Sequence, residues 1–247
     1  MLLLRYLRHM ELKQRTGRYV LYAIGEIFLV VVGILIALQI NNWNEGRKRD
    51  QQRLVLIENL KRDFALTLDQ MDESLESLTT IKSAYEQFLE AAGNDTTDLS
   101  AEELKSIINT SLKALLFQPV LGTLNSAQST GEFGLIKDSE FINLIAKFER
   151  NFMIWNDLSA IYRQQVFLEH RPELRKKLGS LRGTIDTSWH FNPPRYALSE
   201  EAFWQVIYDK EVYANFEAFH FTRNAQTNIL KSLKETTEEI LKRLEEL

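Results

Sequence analysis

A repeat of apolar positions seven residues apart runs through the chain from Ile57 to Phe88. Because a spacing of about 3.5 residues keeps apolar side chains on one side of a helix, the repeat predicts a helix with a narrow buried stripe. No proline or glycine interrupts residues 47–92, so this helix is expected to cover roughly 45 residues and to end at Gly93. The repeat consists of Ile57, Phe64, Met71, Leu78 and Tyr85, with Leu60, Leu68, Leu75, Ile81 and Phe88 between them.

A second helix is predicted to begin after a cap at Ser100. Glu103, three residues later, completes a capping box, in which two side chains satisfy backbone N–H groups that the start of a helix leaves open. The helix is expected to run to about Phe117, just before the first proline of the chain. A short helix between Thr123 and Ser129 is expected to follow it.

Two longer helices are predicted in the second half of the chain, each after an aspartate cap. The first begins at Asp138, carries a wide apolar face to about Glu169, bends near Pro172 and ends by Gly179. The second begins at Asp209 and runs to Leu247 with an apolar stripe along one side. Long stripes joined by short connections predict an elongated antiparallel helical bundle with coiled-coil-like long helices.

The most apolar stretch of the chain is Tyr19 to Ile40, in which Glu26 is the one ionisable residue. At about 1.5 Å per residue it reaches about 33 Å, enough to cross a hydrocarbon core of about 30 Å. Tyr19, Tyr22 and Trp43 are placed as membrane-interface anchors. No small-x-small cleavage site follows the stretch, and a buried helix of a soluble protein would not be apolar on every side. We therefore predict an all-α, single-pass membrane protein with an uncleaved N-terminal transmembrane helix, a signal anchor.

The residues of this span resemble a known family. From Tyr22 to Glu45 the chain reads YAIGEIFLVVVGILIALQINNWNE, which closely resembles the N-terminal signature of domain-of-unknown-function family 6090, a group of bacterial single-pass membrane proteins. The resemblance covers about a tenth of the chain. It implies a membrane location and supplies no activity, cofactor or catalytic residue.

The uneven distribution of charge bears on orientation and on partners. Residues 1–42 carry five basic and two acidic residues, and the remainder carries 25 basic and 32 acidic residues. An acidic domain has no electrostatic reason to bind nucleic acid. The basic residues before the span favour a cytoplasmic N-terminus, although the excess is small because Arg47, Lys48, Arg49 and Arg53 follow the span.

These observations divide the chain into three parts. We predict a cytoplasmic basic segment that lies on the membrane surface (1–18), a transmembrane helix (19–40) and an extracytoplasmic helical-bundle domain (41–247). The anchor would place the protein in the inner (cytoplasmic) membrane, with the domain in the periplasm.

Glu26 lies about 10 Å into the span, where a carboxylate is costly and usually faces protein or water. On a helical wheel Gly33 and Ala37 lie within about 20° of Glu26, and small residues let another helix approach closely. We therefore predict that Glu26, Gly33 and Ala37 form a transmembrane helix contact. Two alternatives stay open: a proton site at Glu26, and a protonated Glu26 that only tolerates its depth.

No sequence pattern indicates catalysis. The histidines His9, His170, His190 and His220 do not occur at metal-ligand spacing, and the chain has no HExxH motif and no cysteine. His220 lies among phenylalanines and is expected to be structural. We expect no enzyme, no metal site and no cofactor.

An aromatic-rich loop is a candidate for binding a ligand or a partner. Side chains with apolar bodies and polar tips serve as anchors in interfaces. The simpler interpretation is a cap that closes one end of the bundle. The loop contains Trp189, His190, Phe191, Arg195 and Tyr196.

The sequence favours a membrane-anchored interaction or scaffold protein, which forms a homo-oligomer or contacts another membrane protein in the lipid bilayer. One alternative is an extracytoplasmic binding module that senses a ligand near the aromatic loop. Its output would come from a partner, because 18 residues precede the span. A third is an accessory subunit of an ion-motive membrane complex that uses Glu26.

Overall fold

A computed structural model describes residues 2–94, 96–178 and 200–247 of the chain. Helices are the only regular secondary structure in these ranges, which confirms the predicted all-α class. The helices are α1 (Leu2–Gly93), α2 (Ala101–Ser111), α3 (Gly122–Thr130), a 3-10 helix (Glu132–Leu135), α4 (Ser139–Arg163), a π-helix (Gln164–His170), α5 (Arg171–Leu178), α6 (Glu200–Ile207) and α7 (Lys210–Glu246).

The chain forms two units. The first ends at Leu56 and also includes Gly134–Ile136. Its part of α1 contains an 18-residue window with a mean hydropathy of 2.2, none of which is buried. Within the described residues this is the one helix that is long and apolar enough to span a membrane, and it includes the predicted span from Ile24 onward.

The second unit, Ile57–Phe133 with Lys137–Leu247, is a helical bundle. Helix α7 runs antiparallel to both α1 and α4. Along its contacts with each of these helices, residue numbers fall in α7 as they rise in the partner helix. Helices α1 and α4 run in the same direction, because the segment with α2 and α3 intervenes between them. The pairs are Asp72–Lys234, Glu86–His220, Asp138–Arg243, Lys147–Glu239, Phe64–Phe148 and Tyr85–Tyr162.

The buried seam of α1 differs in part from the predicted repeat. All five residues from Ile57 to Tyr85 that recur at sevens are buried. Between them, however, Thr67 and Ser74 are buried, and Leu68 and Leu75 are only partly buried. Thr67 is useful in the core because its hydroxyl accepts a hydrogen bond from the backbone N–H of Val120 at 2.9 Å. The buried seam of α1 therefore includes a polar residue, Thr67, that holds the segment before α3 against the helix.

Three predicted helix starts are confirmed. Ser100 and Glu103 form the capping box of α2, Asp138 caps α4 through the N–H of Phe141, and Asp209 caps α7. These starts were predictable because a cap depends on residues within one turn of it.

The predicted end of the second helix was wrong, whereas the element that begins after Asp138 is helical as far as Leu178, as predicted. Helix α2 ends at Ser111 and not near Phe117, because contacts from distant helices hold the carbonyls of residues 111–113. Helix α4 passes at Gln164 into the π-helix, which leads directly into α5 and so continues the element to Leu178. Pro172 is the second residue of α5, directly after the π-helix, and as a proline it has no N–H to donate within the helical run.

Candidate functional site

The residues of the predicted transmembrane contact lie on the surface of α1. Glu26, Gly33 and Ala37 are all exposed, so no other described part of the chain covers them. A Cβ atom added at Gly33 would meet nothing within 4 Å. The structure therefore leaves this stripe of the helix open to lipid or to a partner.

The predicted interface anchors and the aromatic loop are described only in part. Trp43 is 68% exposed on α1, at the end of the apolar window. Tyr19 and Tyr22 lie in the part of α1 whose side chains are not described. The loop residues Trp189, His190, Phe191, Arg195 and Tyr196 lie outside the described residues.

A buried polar cluster in the bundle was not predicted from the sequence. Its centre is Arg223, which is 1% exposed. We call it the Arg223 cluster. Its members come from three helices: Tyr85 on α1, Ser159 and Tyr162 on α4, and Arg223 and Gln226 on α7.

The guanidinium of Arg223 is held by three different kinds of group. Its Nη1 donates to the side-chain oxygen of Gln226 at 2.8 Å, and its Nη2 donates to the carbonyl of Lys113 at 2.5 Å. Its Cζ lies 3.4 Å from the ring centroid of Tyr162, a cation–π contact that strengthens when water is excluded. Gln226 in turn donates to Ser159 at 3.2 Å.

Two tyrosine hydroxyls continue the cluster. Tyr162 donates to the carbonyl of Ser111 at 3.2 Å. Because that bond uses its single proton, Tyr85 must donate to the Tyr162 hydroxyl, 3.1 Å away. Burial raises the pKa of Tyr85 well above its ordinary value, and the neighbouring Tyr162 raises it further. The Tyr85 phenol therefore stays protonated and acts as a hydrogen-bond donor at neutral pH.

The cluster, together with Arg171, satisfies the C-terminal end of α2. A helix leaves its last carbonyls without partners and carries partial negative charge there. Three consecutive carbonyls, of Ser111, Leu112 and Lys113, accept hydrogen bonds from Tyr162, Arg171 and Arg223 respectively. The partial charge of the helix end thus offsets part of the cost of burying the Arg223 cation.

The π-helix lies beside the Arg223 cluster. Its Val166 is fully buried, and its Gln165 accepts a hydrogen bond from Thr222 at 3.2 Å. The ring of His170 packs against Phe219, with 4.7 Å between centroids. Burial lowers the pKa of His170, and the nearby Glu169 carboxylate opposes this shift. His170 is therefore mainly neutral at pH 7 and serves as a packing residue.

The Arg223 cluster has a structural role, because its contacts join separate helices. No carboxylate among the described residues lies within ion-pair distance of Arg223, and its Nε, also buried, has no hydrogen-bond partner there. The Arg223 cluster connects α1, α4, α7 and the end of α2 around one guanidinium group.

The sequence carried a signal for this cluster that the apolar pattern alone does not reveal. The buried face of α7 continues from Phe216 and Phe219 to Leu230 and Leu233 at helical spacing, and Arg223 and Gln226 fall on that same face. A cation and an amide three residues apart on an apolar stripe must find partners in the core. The partners themselves lie too far away in the chain to be identified by spacing.

His220 takes the structural role that was expected of it. It lies 3.3 Å from a carboxylate oxygen of Glu86 and 3.5 Å from the amide of Asn224. Its ring is tilted against Tyr85, with 6.5 Å between centroids. His220 therefore connects α7 to α1 next to Tyr85.

Fold and surface together define a class: a helical-bundle protein with one N-terminal helix apolar enough to span a membrane. The chain belongs to a family of unknown function, DUF6090, whose family model matches residues 26–166. That match runs from Glu26 through α2, α3 and α4 into the π-helix. No curated protein and no solved structure matches the chain.

Proposed function

We propose that this protein is a membrane-anchored interaction or scaffold protein, which associates through its transmembrane helix with a second copy or with another membrane protein. The observation that carries the proposal is the exposed apolar window of α1, with a mean hydropathy of 2.2. Water would penalise such a surface heavily, whereas lipid stabilises it. The proposal assigns no catalytic role, since no sequence motif for one occurs.

The proposed contact surface is the stripe of Glu26, Gly33 and Ala37. Two small residues on one side of a helix allow close packing, which drives helix association where lipid surrounds both partners. A carboxylate on the same side finds a hydrogen-bond partner in that contact and so avoids the cost of facing lipid. The three residues are exposed within the chain and are therefore available to a partner.

The proposed orientation places the N-terminus in the cytoplasm and the bundle outside it, in the periplasm, with the anchor in the inner membrane. The support is the five basic residues that precede the span. A scaffold of this kind would hold the bundle at the membrane surface, where partners can dock on it.

Association is tested with a bacterial membrane two-hybrid assay on the full chain. Gly33→Leu should reduce association several-fold, because a bulky side chain separates the helices. Gly25→Leu is the matched control: it makes the same change about 80° away from Gly33 on the helix, and its site is equally open. Glu26→Gln should reduce association by less than about threefold, since a membrane hydrogen bond contributes about 0.6 kcal/mol and an amide retains it.

The variants also separate the alternatives. Equal association by wild type, Gly33→Leu and Glu26→Leu would exclude the stripe as the contact. Loss of function in Glu26→Gln with normal association would favour a proton site at Glu26.

A further inference from the structure

The residues of α1 that follow Trp43 combine exposure, positive charge and position next to the apolar window. Arg47, Lys48 and Arg49 are all exposed. Measured along the helix axis from Trp43 they lie about 6, 7.5 and 9 Å farther out. We call these three residues the juxtamembrane collar.

The acidic residue nearest the span is already neutralised within the helix. Glu45 accepts a hydrogen bond from the Asn41 amide at 3.0 Å and pairs with Arg49 at 3.3 Å. Arg47 and Lys48 form no ion pair with any residue in the described ranges. Two cations of the collar therefore remain available to an outside anion.

Helix geometry directs these two side chains toward the membrane. Every Cα–Cβ bond of an α-helix tilts toward the N-terminus, and the apolar window lies N-terminal to the collar. The headgroup layer extends about 5–7 Å beyond the hydrocarbon core. Long basic side chains can keep their stems near the apolar region while their charged ends reach that layer.

We propose that Arg47 and Lys48 bind the phosphate groups of anionic phospholipids in the membrane leaflet from which the bundle domain emerges. The proposal rests on the membrane anchorage proposed above. The occupant is a lipid headgroup because the collar is continuous with the apolar window and presents positive charge at headgroup depth. Arginine offers several donors to a phosphate, and lysine adds a compact charge.

The test uses the full chain in phosphatidylcholine vesicles. The chain has no cysteine, so Asn42→Cys provides a unique site for a fluorophore next to Trp43. The vesicles contain a minor fraction of nitroxide-labelled phosphatidylglycerol or of nitroxide-labelled phosphatidylcholine. Quenching of the fluorophore reports which lipid lies beside Asn42. Basic residues at the other end of the span do not affect this signal, because they are too far from the fluorophore.

We expect the anionic lipid to quench about fivefold more effectively than the zwitterionic lipid, the factor that about 1 kcal/mol of attraction gives. Arg47→Gln with Lys48→Gln should bring the ratio close to one. The matched control, Lys231→Gln with Lys242→Gln, removes two charges from exposed positions on α7 and should leave the ratio unchanged. Added salt should lower the wild-type ratio by screening.

The outcomes separate this proposal from the anchorage itself. Equal quenching by both lipids in the wild type would overturn the collar proposal and leave the anchor intact. An equal loss of preference in the α7 control would also overturn it, since net charge would then explain the effect. Absence of quenching by either lipid would overturn both the collar and the membrane anchor.

Discussion

At the scale of single residues, Arg223 shows how a buried cation is accommodated without a carboxylate in the described structure. Burying a charge is costly, and the cost is offset only by several well-placed partners. Here the partners are one amide, one backbone carbonyl at a helix end and one aromatic face. Removing the cation would leave the carbonyl of Lys113 and the amide of Gln226 without their donor.

We expect Arg223→Ala to lower the free energy of unfolding by roughly 3–5 kcal/mol. The loss combines a cavity, orphaned polar groups and the cation–π contact. Chemical denaturation of the full chain in detergent micelles, followed by circular dichroism, measures it. Arg150→Ala is the control, because Arg150 is exposed on α4 and its removal should change stability by less than about 0.5 kcal/mol. Equal stability of the two variants would show that the Arg223 cluster contributes little.

At the scale of the elements, one aspartate joins the start of α4 to the end of α7. Asp138 accepts a hydrogen bond from the N–H of Phe141 at 2.7 Å, as the cap of α4. Its two carboxylate oxygens also accept from Arg243, at 3.0 and 2.6 Å. The Arg243 guanidinium and the Phe141 amide hold the pKa of Asp138 at about 2, below its ordinary value of 3.8.

This shift predicts the direction of a pH effect. A carboxyl whose pKa is lower in the folded state stabilises the fold above its unfolded pKa and loses that contribution as the pH falls through the folded value. The contribution of Asp138 should therefore be complete above about pH 4 and disappear between about pH 4 and pH 2.

The measurement is thermal unfolding of wild type and Asp138→Asn across this range. Asparagine keeps the cap but removes the charge, so the difference between the two proteins should be largest at neutral pH and vanish near pH 2. Asp157→Asn on the exposed side of α4 is the control and should show no such convergence. A constant difference at all pH values would mean that the ion pair is not its source.

The end of α2 shows what sequence reasoning misses at this scale. The pattern of apolar residues and the nearest proline placed the end near Phe117. Both are local signals, whereas the actual end at Ser111 depends on Arg171 and Arg223, which hydrogen bond to residues 59 and 110 positions away. Helix starts were predictable because their caps are local, and this helix end was not because its partners are distant.

At the scale of the whole molecule, the proposed anchor and the bundle have different physical requirements. The anchor needs a continuous apolar surface, and the bundle needs helices that each bury one side. Helix α1 meets both requirements, because its residues from Ile24 to Ile40 are largely apolar and exposed and its residues from Ile57 onward carry a buried seam.

We expect the bundle to lie on the periplasmic side of the inner membrane. A reporter that is active only in the periplasm, fused after Leu247, should be active in cells. The same fusion to a chain that begins at Glu45 lacks the apolar window and should be inactive, because nothing directs it across the membrane. Activity of a cytoplasm-specific reporter on the full chain would reverse the topology.

The amino-acid sequence alone was enough to predict the helical class, the N-terminal helix that is apolar enough to span a membrane and the caps at Ser100, Asp138 and Asp209. Each depends on residues within one helix or one turn, so hydropathy and spacing are sufficient to predict it. The stripe of Glu26, Gly33 and Ala37 was also read from spacing, and its contact remains a prediction.

The pairing of the helices, the polar residues that enter the seam and the partners of Arg223 depend instead on how the helices pack in three dimensions. The two tyrosines of the Arg223 cluster are 77 residues apart, and Arg223 is 110 residues from the carbonyl it binds. Such pairs form when packing brings separate helices together, and no local pattern specifies them. A buried polar group must be satisfied, but the group that satisfies it is chosen by the arrangement of the helices.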